Sequence, residues 1–432
     1  MSDPDPLRRR WLRRGAAVGA GLGTGLGTGL GTGLGMGGGA LAAPQPGDGA
    51  SGQRTMPPSW RTPGGEFSNY GQPSPDGPIR WVSTEPGAPG TGVAWTPLHE
   101  LEGTLVPNGL HFERHHAGIP ALDSQAWHLV VEGRVTRPST LDLATLLRMP
   151  RHSRQAFIEC AGNSSALWRP EPVQAPVGWL HGLVSCSEWT GVSLRQVLDR
   201  VGVAASARWL IAEGLDAAGM TVSLPLDSLP AHSMIALYQN GEPLRAAHGF
   251  PARLMLPGLE GVVQVKWLGR LTLSDRPAMS RFDTVAYTDL QADGVSHRFT
   301  RTLGVKSLIT SPFVGQRLPC GAQELSGLAW SGAGAITRVD ITVDGGRRWW
   351  PARLDGAARD RAFTRFRATW PRGVASEPAV IASRAVDSAG RVQPRRREML
   401  RRRGGDPRYH YNAVTALSVS ADGGVAHGYL DE

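Results

Sequence analysis

The periodicity of the chain changes at Val305, and that change limits what it can fold into more than any other feature. From there on, short runs of alternating apolar residues are separated by glycine-rich turns. AITRVDITVDGGRRWW (335–350) sets Val339, Ile341 and Val343 on one face and turns at Asp344-Gly345-Gly346; AVIASRAVDSAGRVQP (379–394) repeats the pattern. Several such strands in about 125 residues predict an immunoglobulin-like β-sandwich over 303–432.

Upstream, two periods mix. WHLVVEGRV (127–135), RWLIAEGLD (208–216), IALYQNGEPL (235–244) and ARLMLPG (252–258) read as strands broken by turns. TLDLATLLRMP predicts a short helix stopped by Pro150. GVSLRQVLDRVGV predicts a second, with Val192, Leu194, Val197, Leu198 and Val201 on one face. Without regular strand–helix–strand alternation, residues 106–302 are expected to form an α+β domain rather than a doubly wound sheet. Two domains plus tails also suit 432 residues. Residues 44–105, rich in Pro, Gly and Ser, read as an extended arm on the protein surface.

Residues 1–43 read as an address. Arg8, Arg9, Arg10, Trp11 and Leu12 fit the twin-arginine export pattern, and Ala40-Leu41-Ala42 offers a cleavage site. The Gly-Leu-Gly-Thr repeats between them are too glycine-rich for a spanning helix. The expectation is a soluble periplasmic protein, exported already folded, by a route whose passengers often carry a cofactor. Of the net charge of +9, this segment holds +3. A second basic run, RRREMLRRR (395–403), reads either as a nucleic-acid contact or as a solvated basic face. No aromatic RNA-binding motif, zinc finger or basic zipper accompanies it. Of 46 basic residues only Lys266 and Lys306 are lysines.

Cys160, Cys186 and Cys320 are the only cysteines, so at least one is unpaired, and neither a C-x-x-C zinc pair nor a C-x-x-C-H haem motif is present. FIECAGNSSALW (157–168) delivers Cys160 from a strand into a Gly-Asn-Ser turn. A strand-end loop is rigid behind and open in front. A thiolate there is a soft ligand for a transition metal. The alternative is a buried, inert small side chain. Arg114, His115 and His116, Asp216, and Tyr238, His248, Arg253 and Lys266 lie in neighbouring motifs. Together they include cationic donors suited to a phosphate-bearing cofactor.

These blocks, in order, are Phe112–His116, Cys-Ala-Gly-Asn at 160–163, Tyr-Gln-Asn-Gly at 238–241, His-Gly-Phe-Pro-Ala-Arg at 248–253, Val-Lys-Trp-Leu-Gly-Arg at 265–270 and Leu-Ala-Trp-Ser-Gly at 328–332. With them the mature chain resembles the sulfite oxidase family of molybdopterin enzymes. HGLVSCSEWTGV (181–192) and YHYNAVTA (409–416) make it most similar to the molybdenum subunits of sulfane dehydrogenases of sulfur-oxidising (Sox) systems.

The resemblance implies a molybdenum–molybdopterin cofactor and no haem in this chain. Cys160 would be the protein ligand of molybdenum. His116, Asp216, His248, Arg253 and Lys266 would hold the pterin and its phosphate. Arg114 and Tyr238 would face the substrate, and Arg361 would reach back toward it. The sandwich would supply a dimer interface. Electrons would leave to a separate c-type cytochrome subunit, in an assembly of two of each chain, and the basic surface could dock an acidic partner.

Two departures matter. Sulfite oxidases carry basic residues after the Cys-Ala-Gly-Asn motif, where this chain has Ser164 and Ser165. A small dianion needs compensating positive charge, so the change suits a bulkier substrate, sulfane sulfur on a carrier protein's cysteine. His115 stands where the family's Asn is usual. The rival readings are a sulfite dehydrogenase with the same cofactor and a non-catalytic exported module that binds polyanions.

Overall fold

The computed structural model describes residues 70–298, 301–371, 377–403 and 407–430. Residues 1–43, read as an export signal, and 44–69 of the expected arm lie outside them. The rest of that arm is not merely extended. Strands β1 (Trp81–Thr84) and β2 (Gly92–Trp95) form a hairpin through the turn at 85–91. β2 then pairs with β3 (Glu113–His115), setting Val93 opposite Arg114. Proline and glycine masked this hairpin in the sequence, because they mark its turn and not an absence of pairing.

Ten strands follow among the described residues: β4 (His128–Gly133), β5 (Ser139–Asp142), β6 (Arg151–Glu159), β7 (Val184–Ser193), β8 (Trp209–Gly214), β9 (Thr221–Pro225), β10 (Met234–Gln239), β11 (Glu242–Pro243), β12 (Arg253–Met255) and β13 (Leu268–Ser274). They build two sheets. One runs β5-β4-β13-β8-β9, with β13 parallel to β4 and antiparallel to β8. The other runs β11-β10-β7-β6, with β12 also paired to β10. Leu129, Val131 and Leu271 of the first sheet share one buried core with Val192, Ile235 and Leu254 of the second.

The helices read from the sequence are present. α1 (Leu143–Arg148) is capped by Asp142, whose carboxylate accepts from the Thr145 N–H at 2.8 Å. After a one-turn α2 (Val177–His181), α3 (Leu194–Val201) buries Leu194, Val197 and Val201 and ends at Gly202, whose φ of 70° lies in the left-handed region.

A hairpin of β14 (Thr288–Leu290) and β15 (Ser296–Arg298) leads to two antiparallel sheets. In chain order their strands are β16 (Lys306–Ser311), β17 (Gln323–Trp330), β18 (Ile336–Thr342), β19 (Trp350–Pro351), β20 (Arg353–Leu354), β21 (Thr364–Trp370), β22 (Ala379–Asp387), β23 (Ala416–Val419) and β24 (Val425–Gly428). One sheet is β16-β17-β21-β20 and the other β19-β18-β22-β23-β24. Leu325, Ala329 and Phe366 of the first share a core with Val339, Ile341, Ile381 and Leu417 of the second, the arrangement of a β-sandwich. The basic run at 395–403 contains the helix α4 (Arg396–Arg402).

Candidate active site

β6 pairs with β7 along its full length, so the chain is rigid up to Glu159 and leaves the sheet at Cys160. The Cys160 N–H donates to the Leu183 carbonyl at 2.9 Å, and the Cys160 carbonyl accepts from the Asn163 N–H at 2.9 Å, closing a tight turn. Gly261 packs against it: a Cβ there would lie 3.0 Å from the Glu159 carbonyl oxygen. A larger residue would have to press the turn back by a few tenths of an ångström. None of the three cysteines is in a disulfide among the described residues. Burial pushes the Cys160 thiol above its ordinary value, although the Gly162 N–H works the other way.

Cys160 opens into a cavity. Eight of the residues singled out in the sequence line it: Arg114, His115, His116, Cys160, Asp216, His248, Arg253 and Lys266. They come from β3 and the residue after it, the β6 turn, the loops after β8 and β11, β12, and the approach to β13. Arg114 is held by its own strand pairing, its guanidinium donating to the His115 carbonyl at 2.5 Å and the Gly92 carbonyl at 3.3 Å.

Three cations, Arg114, Arg253 and Lys266, line the cavity beside two carboxylates, Glu113 and Asp216. Arg253 is 4% exposed and donates to the His248 carbonyl at 3.0 Å and the Gln264 carbonyl at 2.9 Å. Its Nε lacks a partner, and no carboxylate pairs with it among the described residues. Burial lowers its pKa to about 9. Lys266 is pushed well below its ordinary value by burial and by Arg253. Both ring nitrogens of His248 are buried without hydrogen-bond partners, and so is Nε2 of His111, whose ring lies 4.9 Å away. Burial holds His111 neutral, with a pKa of about 3. Buried donors and uncompensated cations are costly unless an anion with several acceptors fills the space between them. A pterin phosphate meets that need, and the Cys160 thiol supplies a metal ligand at the same cavity. The residues therefore fit a molybdenum–molybdopterin group.

Two expected site residues, Tyr238 and Arg361, are not among the residues that line this cavity. Tyr238, on β10 opposite Thr190 and Pro243, packs against the inter-sheet core and does not line the cavity. Arg361 donates to the Gly332 carbonyl at 3.0 Å and to Asp360 at 3.1 Å, and is likewise absent from the lining. The tyrosine that does line the cavity is Tyr287, which sequence reasoning missed because no motif marks it. Its hydroxyl lies 3.4 Å from Nε2 of His116, and its ring stacks on Tyr409 at 5.3 Å. Burial, then the charge of Cys160, raise its pKa, so Tyr287 remains a protonated donor. Burial and Arg114 lower that of His116 to about 4. The 409–416 motif also reaches the turn: the His410 N–H donates to the Ala161 carbonyl at 2.8 Å.

Comparison with known proteins agrees with this geometry. A family described as "Oxidoreductase molybdopterin binding domain" matches residues 116–282, and one described as "Mo-co oxidoreductase dimerisation domain" matches 297–416. Sulfite oxidase of Gallus gallus is 35% identical over 317 residues, covering 68% of this chain and 69% of its own. The chain belongs to the sulfite oxidase family. The mitochondrial sulfite oxidase of Homo sapiens is 31% identical over 68% of this chain, which spans 58% of that protein. Among solved structures, the sulfane dehydrogenase SoxCD from Paracoccus pantotrophus superposes with a TM-score of 0.80 at 38% identity, over 86% of this chain and 97% of that one. The chain is thus a sulfite-oxidase-type molybdopterin oxidoreductase, with an α+β pterin-binding domain followed by a dimerisation sandwich.

Proposed function

We propose that this chain is the molybdenum subunit of an exported sulfane dehydrogenase, oxidising sulfane sulfur carried on a cysteine of another protein. One observation carries the choice of substrate. The turn after Cys160 presents no cation: Ser165 is exposed, and Ser164 faces away into a buried network with Lys306 and His181. A small free dianion bound beside this turn would have Arg114 to offset its charge but no second cation from the turn itself. The likeness to SoxCD, which spans nearly all of that chain, supports the same choice.

In this reading Cys160 holds the metal, and His116, Asp216, His248, Arg253 and Lys266 hold the pterin and its phosphate. When bound, the molybdenum centre supplies two-electron oxidation coupled to oxygen transfer. Arg114 offsets negative charge developing on the substrate. Tyr287 holds a proton at its hydroxyl oxygen beside His116 and takes the donor role first read into Tyr238. The pterin-binding unit occupies 106–302 and the dimer-forming unit 303–432. Electrons pass to a c-type cytochrome subunit in an assembly of two of each chain, after twin-arginine export to the periplasm.

Purified holoenzyme is tested against sulfite and against a carrier protein loaded with thiosulfate-derived sulfur, following reduction of a c-type cytochrome. The carrier-bound substrate is expected to give the higher kcat/KM; a higher value for sulfite overturns the assignment. That second reading, sulfite dehydrogenase, is favoured by the curated relatives themselves. Metal analysis of native protein addresses the polyanion-binding module: molybdenum near one atom per chain excludes it.

A further inference from the structure

In a chain that uses lysine only at 266 and 306, both lysines are built into this region. Lys266 lines the cavity. Lys306 does not. It begins β16 in the sandwich and is 1% exposed. Its Nζ donates to Oε1 of Glu159 at 3.0 Å and to Oγ of Ser164 at 2.7 Å. Those two residues bracket Cys160: Glu159 precedes it on β6, and Ser164 closes its turn.

Every other polar atom of the bracket is also committed. Oε1 of Glu159 accepts from Asn163 Nδ2 at 2.9 Å, and Oε2 accepts from the Trp330 indole at 2.7 Å. Oδ1 of Asn163 accepts from the Leu183 N–H at 3.1 Å. Because Lys306 donates to Ser164, the Ser164 hydroxyl proton is free to go to Nδ1 of His181, 2.7 Å away. Ser164 adopts a left-handed φ of 66°, uncommon for serine, and this network holds it there. A compact ammonium meets two acceptors on one side and the Trp330 ring, 5.7 Å off, on another. A planar guanidinium has a different shape and donor geometry, which accounts for lysine in an arginine-rich chain.

We propose that Lys306 is a positioning residue for the metal-binding turn: through Glu159 and Ser164 the dimerisation sandwich sets where Cys160 presents its sulfur. This rests on the reading of Cys160 as the molybdenum ligand. Removing the ammonium leaves a buried, unpaired carboxylate one residue from that ligand. Asn163 and Trp330 then re-pair around a displaced Glu159, and the turn loosens.

The test uses full-length holoenzyme carrying Cys320→Ser, since Cys320 is exposed whereas Cys186 is fully buried. Alkylation of Cys160 by iodoacetamide is followed by mass spectrometry, and the Mo(V) electron paramagnetic resonance signal is recorded. Lys306→Met is expected to raise the alkylation rate about tenfold and to split the Mo(V) signal into more than one species. Lys306→Arg is expected to behave similarly, and Glu159→Gln with Lys306→Met to fall back toward the parent, because no charge is then left unpaired. Ile381→Val, in the sandwich core away from the turn, is expected to leave both readouts unchanged. If Lys306→Met does not fold, Lys306→Arg and the double variant carry the comparison. Parent-like alkylation and an unaltered signal in folded Lys306 variants, or an equal rise in Ile381→Val, overturns the positioning role. A Mo(V) signal unaffected by Cys160→Ser overturns the ligand reading alone.

Discussion

Nζ of Lys266 stands 2.8 Å from Nδ1 of His115, and Nε2 of the same imidazole stands 2.9 Å from Oε2 of Glu113. An ammonium can only donate, so Nδ1 accepts and the Nε2–H donates to Glu113. The other Glu113 oxygen accepts from Arg80 at 2.6 Å. Lys266 further donates to the Arg114 and Ala247 carbonyls, each at 3.2 Å. All three of its donors are therefore committed to protein, and Lys266 acts on a bound anion through its charge, from a position that His115 fixes. Replacing His115 by Ala should lower molybdenum retention about tenfold, in the range found for residues that orient ligand-holding groups. Molybdenum per chain after dialysis measures it; full retention would show that Lys266 needs no such support.

The same relay gives a pH dependence. Burial pushes the Glu113 carboxyl up, but hydrogen bonds from His115 and Arg80 outweigh it and hold the pKa down at about 2, from an ordinary 4.5. A carboxyl depressed on folding stabilises the protein above its unfolded pKa, and the contribution fades as pH falls through the folded value. Glu113→Gln should therefore cost about 2–3 kcal/mol at pH 7. The difference should shrink steadily between pH 4.5 and about 2. Denaturant titrations of both proteins at pH 7, 4.5 and 3 check the trend. A gap that stays constant would place the effect in packing and not in charge.

Tyr287 and Tyr238 make opposite predictions. Tyr287→Phe removes the hydroxyl beside His116 and should lower kcat by about 10²-fold with a folded protein and normal molybdenum content. Tyr238→Phe should stay within about twofold, because Tyr238 does not line the cavity. Steady-state kinetics on both variants decides, and the reverse ranking would restore the role first assigned to Tyr238.

Cys160→Ser exchanges a soft thiolate for a hard, protonated hydroxyl at the cavity. Turnover should fall below detection while the fold persists, since the turn is closed by backbone bonds and by Asn163 and not by the sulfur. Circular dichroism paired with the activity assay checks both halves, and retained turnover would remove Cys160 from the mechanism.

Much of the fold was legible because local physics writes it. The Asp142 cap, the stop at Pro150 and the Asp344-Gly345-Gly346 turn each involve residues a few positions apart. Among the site residues, Cys160 was legible as a thiol at a strand end. The two tyrosines were not distinguishable. Tyr238 lies on β10, where Met234, Ile235, Ala236 and Leu237 are all buried, so alternation does not say which side meets the cavity. Tyr287 follows a single π-helical turn (Phe282–Ala286), too short for a period to show in the sequence.

By itself the sequence determined the elements, the two-part layout and the ordered motifs, because propensity, turn chemistry and hydrophobic period act between near neighbours. Only the tertiary structure decided which side chains share the cavity and what stands behind them. Arg114 and Lys266 are 152 positions apart and Glu159 and Lys306 are 147 apart. Such pairs form when sheets distant in the chain close on one another, and burial fixes their partners once water is gone.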